Sequence, residues 1–149
     1  MDVLDNIINL IVAAALSAVI GFEREWMEKS AGLRTHMMVG LGSALFTITG
    51  LELGGDPSRV AAQIVTGIGF LGAGAIFRQG ANVQGLTTAS GLWAVAGIGM
   101  AAGAGLIGLA ITATVIGVLI LYALLPVVDR IRNQQHRKNQ TEGEADSTS

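Results

Sequence analysis

The sequence predicts an all-α, polytopic membrane helix bundle with five transmembrane helices. Hydrophobic residues make up 51% of the 149 residues and charged residues only 13%, about half of the roughly 25% that soluble domains carry. Between Pro57 and Val128 the only charges are Arg59 and Arg78. A soluble domain needs polar side chains to cover its surface, so this composition excludes a soluble globular enzyme.

Five stretches have the length and apolar character of a membrane span, which needs about 20 residues. They are Asn6–Phe22, Thr35–Leu53, Val60–Phe77, Gly85–Ala102 and Leu106–Val128. The last two form one uncharged run that is too long for a single crossing, and we expect it to bend at Ala102–Gly105. The stretches lack strict alternation and exceed the ~10 residues of a barrel strand, so helices are favoured.

The distribution of Lys and Arg predicts the orientation of the five spans. One side of the membrane would carry eight basic residues and the other side only Arg59. The eight are Arg24, Lys29, Arg34, Arg78, Arg130, Arg132, Arg137 and Lys138. Cytoplasmic loops hold an excess of Lys and Arg. We therefore expect the N-terminus outside and the C-terminus in the cytoplasm.

The chain is expected to form one transmembrane domain over residues 1–132, followed by a polar tail over residues 133–149. No basic residue precedes the first apolar stretch, which argues against a cleaved signal peptide. The tail contains a single apolar residue, Ala145, and no periodicity. We expect it to be solvated and disordered.

The third predicted span carries the densest group of glycines: Gly67, Gly69, Gly72 and Gly74. At about 100° per residue, the first and last share one face of a helix and the middle two lie on the opposite side. Small residues let membrane helices approach closely, so we expect this helix at the centre of the bundle. The same packing interpretation applies to Gly40, Gly42, Gly50, Gly91, Gly97 and Gly99; homo-oligomerisation would explain such glycines equally well.

Several other function classes lack the residues that they need. The third span matches G-x-G-x-x-G, but no acidic residue follows within the same region to hold a ribose, which disfavours nucleotide binding. The chain has no cysteine, which excludes disulfides and thiolate sites. Its basic residues form no long run, so nucleic-acid binding has no support. His36 and His136 are the only histidines, and no catalytic set is visible, so we expect no enzyme activity and no cofactor.

Polar residues collect at the span ends that the orientation places on the cytoplasmic side. We call this set the polar rim: Glu23, Arg24, Glu25, Arg34, Thr35, His36, Arg78, Thr87, Thr88 and Trp93. Charge is costly to bury at a membrane boundary, so Glu23 and Glu25 are expected to neutralise Arg34 or Arg78. One interpretation is that the polar rim only anchors helix ends.

The other interpretation makes the polar rim a site for a cation, a proton or a partner protein. Glu23 and Glu25 are the candidate ligands for a metal ion, because hydrated Mg²⁺ often needs only one or two carboxylates. The neighbouring arginines would repel such an ion. The middle of the spans is poor in polar groups, which weighs against an ion channel through one chain.

Four blocks in register resemble the MgtC/SapB family. They are Gly21–Glu25, Ala31–His36, Gly67–Gly74, and Gly85–Ala89 with Trp93. The resemblance covers the chain from about Asp5 to Val128. The resemblance implies which positions to mutate first. They are Glu23, Arg24, Glu25, Arg34, Thr35, His36, Thr87, Thr88 and Trp93.

The resemblance implies a multi-pass protein of the bacterial inner membrane, linked to growth in low magnesium and, in pathogens, to survival inside host cells. It leaves two functions open: modulation of a partner membrane ATPase or of ion homeostasis, and transport of Mg²⁺ or another cation. The lipid bilayer is the expected surrounding, and Mg²⁺ would be a ligand or substrate. Many family members carry a soluble domain after the last span, whose roles are not carried over to this chain.

Overall fold

The computed structural model describes residues 2–79 and 82–123, which form five α-helices and one short hairpin. The helices are α1 (Val3–Trp26), α2 (Leu33–Glu52), α3 (Pro57–Ala75), α4 (Leu86–Gly103) and α5 (Ile107–Ala123). The strands β1 (Phe77–Gln79) and β2 (Asn82–Gln84) lie between α3 and α4. Each predicted apolar segment thus lies largely within one helix, although Phe77, the last residue of the third segment, belongs to β1. The predicted tail at 133–149 and the stretch 124–128 lie outside the described residues.

Two of the described helices are long and apolar enough to cross a bilayer. They are α1, with 24 residues, and α4, with 18 residues, while α5 is apolar but shorter, with 17 residues. The helical character of the chain is therefore confirmed. The number of spans and their orientation stay predictions.

Helices α1, α2 and α4 form the core through small residues that recur every fourth position. Gly40 of α2 lies against Ser17 of α1, and a Cβ atom at Gly40 would collide with the Ser17 hydroxyl. A Cβ at Gly99 of α4 would collide with the Gly40 carbonyl oxygen, and one at Gly103 would lie 2.6 Å from the Ala44 carbonyl oxygen. The backbones of α2 and α4 are therefore in direct contact, as close-packed membrane helices require.

Helix α3 lies at the edge of the bundle, so its expected central position is wrong within a single chain. Among its four predicted packing glycines, Gly72 lies near Ala89 of α4, but Gly67, Gly69 and Gly74 face open space. Only Ile64, Ile68 and Gly72 of α3 are buried. The other helices cover only the face of α3 that carries Ile64, Ile68 and Gly72. Glycines on the opposite face allow another helix to approach, but no helix of the described residues lies there.

The hairpin between α3 and α4 was not predicted from the sequence. Its two strands are antiparallel, with Phe77 opposite Gln84 and Arg78 opposite Val83. Gly85, the N-cap residue just before α4, has φ +89°, and a Cβ there would collide with the carbonyl oxygen of Ala75. Only glycine tolerates both the positive φ and this approach. The hairpin therefore fixes where α4 starts.

The bend predicted between the last two helices is confirmed. Helix α4 ends at Gly103, and Gly105 has φ +77°. The Gly105 N–H donates to the Ala102 carbonyl at 2.9 Å, and the Leu106 N–H donates to the Ala101 carbonyl at 2.8 Å. This is the glycine-ended helix terminus that satisfies the last carbonyls. Within α5, Ala110 and Thr114 are buried, and beyond residue 117 the chain forms a separate unit, described only to residue 123.

Candidate functional site

The structure divides the polar rim into a buried group and an exposed group. Glu23, Arg24, His36 and Thr88 are buried, with exposed fractions of 0–3%. Glu25, Arg34, Thr35, Arg78, Thr87 and Trp93 are exposed. The buried group belongs to α1, α2 and α4, the three core helices. The polar rim is therefore not one continuous surface cluster.

Glu23 and Arg24 form a buried ion pair between adjacent residues of α1. The Arg24 guanidinium donates twice to the Glu23 carboxylate, from Nε to Oε2 and from Nη2 to Oε1, the latter at 2.6 Å. Both side chains are almost fully shielded from solvent. Such a fork-shaped pair neutralises both charges where neither could be left alone. The expectation that Arg34 or Arg78 would neutralise Glu23 is therefore corrected to Arg24.

Glu25 caps the N-terminus of α2. Its Oε2 atom accepts a hydrogen bond from the Leu33 N–H at 2.9 Å. The N-cap residue, Gly32, has no side chain to do this, and a Cβ at Gly32 would collide with the Glu25 carboxylate. A carboxylate at a helix N-terminus satisfies a free N–H and complements the helix dipole. Arg34 is exposed beside it and forms no ion pair among the described residues.

We expect Gly32→Ala and Glu25→Gln to destabilise the protein by the same route. The alanine Cβ would displace the carboxylate, and the amide would bind the Leu33 N–H more weakly, so each change should cost about 1 kcal/mol of unfolding free energy. Because both remove one cap, the double variant should cost little more than either single one. Denaturation of the purified protein in detergent measures all three. Fully additive losses would show that the two residues act separately.

His36 is a fully buried histidine between α1 and α4. Its Nδ1 atom lies 2.9 Å from the Gly32 carbonyl oxygen, which can only accept, so Nδ1 carries the proton. Nε2 is buried and has no hydrogen-bond partner among the described residues. A Cβ at Gly91 of α4 would lie 3.4 Å from Nε2, and one at Gly21 of α1 would lie 2.9 Å from the His36 Cβ. Gly91 therefore leaves room for the imidazole, and Gly21 allows α2 to approach α1 closely at His36.

Thr35 is exposed on α2, and the other remaining residues of the polar rim lie on the hairpin and in the first turns of α4. Thr88 is 3% exposed and faces the core, whereas Thr87 precedes it on the exposed side and Trp93 is 57% exposed. Arg78 lies on β1 and is exposed. The hairpin connects α3 to α4, and it therefore sets the position of Arg78 and of the first turns of α4. The sequence analysis did not predict that Gly21 contacts His36 or that Gly32 contacts Glu25. Both glycines lie in the sequence blocks that resemble the MgtC/SapB family, and this was the feature that could have pointed to them.

The described residues offer no ready metal centre. They contain no group of three or more His, Asp or Glu side chains that could hold a metal ion. Of the two candidate ligands, Glu23 is engaged by Arg24 and Glu25 by the Leu33 N–H. A Mg²⁺ ion would have to compete with both partners. The arrangement favours structural roles for these carboxylates over ion coordination.

Five hydroxyl groups within the helices are also engaged. Ser17, Thr47, Thr66, Thr112 and Thr114 each donate to the carbonyl oxygen four residues earlier, at 2.6–2.9 Å. Such bonds satisfy the hydroxyl within its own helix. These side chains therefore do not present a row of free polar groups along a path between helices.

Comparison with known proteins assigns the chain to a family. The model of the MgtC family matches residues 10–130, which include every residue of the polar rim. The chain belongs to the MgtC family. Among curated proteins, it is 44% identical over 140 residues to the "Putative magnesium transporter YhiD" of Escherichia coli K12, covering 87% of this chain and 65% of that protein. No solved structure matches significantly.

Two relatives named "Protein MgtC" support the same assignment. That of Salmonella typhimurium LT2 is 51% identical over 111 residues, which is 74% of this chain and 48% of that protein. That of Brucella abortus 2308 is 48% identical over 128 residues, which is 85% of this chain and 54% of that protein. This MgtC-family chain thus spans between about half and just under two thirds of the length of these relatives.

Proposed function

We propose that this MgtC-family chain is a multi-pass protein of the bacterial inner membrane that supports growth in low magnesium by modulating a partner membrane ATPase. In this proposal all five helices cross the bilayer, with the N-terminus outside and the C-terminus in the cytoplasm. The family assignment supports the link to magnesium. The two long apolar helices and the distribution of basic residues support the membrane topology.

The observation that carries the proposal is the closed core of α1, α2 and α4. Gly99 lies so close to the Gly40 carbonyl that even a Cβ atom does not fit between the helices. A conducting path needs a lumen lined by polar groups or free carbonyls. In this core the carbonyl oxygens of Gly40 and Ala44 lie against the backbone of α4. The carboxylate of Glu23 is paired with Arg24. A protein that binds another membrane protein needs no such path.

Transport of Mg²⁺ is the second candidate function. It is favoured by the name of the Escherichia coli relative, which is that of a magnesium transporter. A transport path would have to run outside the closed core, for example between two copies of the chain. Glu25 is the carboxylate of the polar rim that is exposed, and it would be the first ligand to test in such a path.

Reconstitution of the purified chain into sealed vesicles separates the two functions. We expect a magnesium-sensitive dye inside the vesicles to report no faster Mg²⁺ entry than in protein-free vesicles, because the core offers no conducting path. Addition of a magnesium ionophore at the end of each run checks that the vesicles are sealed and the dye responds. Entry that depends on the protein and falls in Glu25→Gln would overturn the modulator proposal in favour of transport.

A further inference from the structure

A long groove runs between α2 and α3 on the side of the bundle. It has a volume of about 790 Å³, within the ~300–1,000 Å³ typical of small-molecule sites. Its wall on the α2 side extends from Thr35 to Leu53, the residue that follows the helix. This corresponds to about 27 Å of helix at 1.5 Å per residue, close to the ~30 Å thickness of the hydrocarbon core. The groove is therefore nearly as long as the apolar part of a membrane is thick.

The groove is lined mainly by apolar side chains, with the hydroxyl groups of Thr35, Ser43 and Thr49 spaced along α2. Gly42 and Gly67 widen its middle, because a Cβ at either would meet open space. Arg59 carries the only charged side chain among the described residues that line it, and Gln63 follows one turn later on α3. The groove thus has the polarity of an amphiphile, with a cationic end and an apolar body.

We propose that this groove binds an anionic phospholipid, with an acyl chain along α2 and α3 and the headgroup phosphate at Arg59. Arg59 is exposed and makes no ion pair within the described residues. The two acidic residues nearest to Arg59 in the sequence are engaged by other groups: Asp56 accepts from the Ser58 N–H and hydroxyl, and Glu52 accepts from Asn6. Arginine binds phosphate through several N–H donors at once.

A transmembrane helix of a partner protein fits the groove less well. A helix in the groove would lay apolar side chains along the whole wall, up to the level of Arg59. Arg59 would then remain without a counter-ion opposite an apolar helix. The lipid proposal does not depend on whether the protein carries ions or on which side of the membrane Arg59 lies.

Electron spin resonance of the full chain in phosphatidylcholine vesicles tests the headgroup interaction. Traces of spin-labelled phosphatidylglycerol and of spin-labelled phosphatidylcholine are compared for their association with the protein. We expect a preference for phosphatidylglycerol that falls about fivefold in Arg59→Gln and is kept in Arg59→Lys. An unchanged preference in Arg59→Gln would overturn the proposal.

Two glycines of α3 provide a matched pair that tests the groove itself. Gly67 lines the groove and Gly69 does not, and a Cβ at either position meets open space. We expect Gly67→Leu to reduce the amount of immobilised lipid of both kinds and Gly69→Leu to leave it unchanged. Equal values for the two variants would overturn the proposal.

Because the chain has no cysteine, Gly42→Cys can also be cross-linked in native membranes, and capture of a protein helix at this position would equally overturn it.

Discussion

Replacing Gly99 by alanine is expected to lower the unfolding free energy by about 1–3 kcal/mol, the usual cost of an overpacked contact. A Cβ there would collide with the Gly40 carbonyl oxygen and lie 3.0 Å from the Gly40 carbonyl carbon. Both are backbone atoms, so α2 and α4 must separate to relieve the collision. Unfolding of the purified protein in mixed micelles, followed by circular dichroism, measures the loss.

Gly97 provides the control for this prediction on the same helix. It lies two residues from Gly99, but a Cβ at Gly97 would meet open space. Alanine is the better helix former by up to about 1 kcal/mol, so Gly97→Ala should be neutral or stabilising. If the two variants were equally stable, the α2–α4 contact would not be as close as described. The proposed closed core would then lose its main support.

The five helices could be predicted from hydropathy, because each of them contains one long apolar segment. The position of α3 could not, since a glycine pattern shows where close approach is sterically allowed and not where a neighbour lies. Gly97 and Gly99 illustrate this: both are glycines of α4, but only Gly99 lies against another helix. The hairpin also escaped prediction, because its strands have only three residues each.

The candidate site could be predicted as a set of residues but not as a set of partners. Glu23, Arg24 and Glu25 are adjacent in the sequence. From the sequence alone, Glu23 and Glu25 are interpreted as one acidic pair that is neutralised by Arg34 or Arg78. The helix turns successive side chains by about 100°, which lets Glu23 and Arg24 be buried while Glu25 reaches Leu33. Two carboxylates two positions apart therefore have different roles.

The buried pair of Glu23 and Arg24 leads to the prediction with the largest single effect. Glu23→Gln or Arg24→Gln alone should lower the unfolding free energy by about 3–5 kcal/mol, because each leaves a buried charge without its partner. The exposed fractions of Glu23 and Arg24 are 2% and 3%, so water cannot replace the missing group. The double variant leaves no buried charge and should be more stable than either single variant. A double-mutant cycle on the purified protein measures this coupling.

The same double variant separates a structural role of the pair from a functional one. If the pair only neutralises charge inside the bundle, the double variant should regain both stability and growth in low magnesium. If the Glu23 carboxylate acts in the function, stability should return while growth does not. Glu25→Gln is the matched control, because it changes an exposed carboxylate on the same helix and should cost only about 1 kcal/mol. Losses for Glu23→Gln as small as those for Glu25→Gln would contradict the burial of the pair.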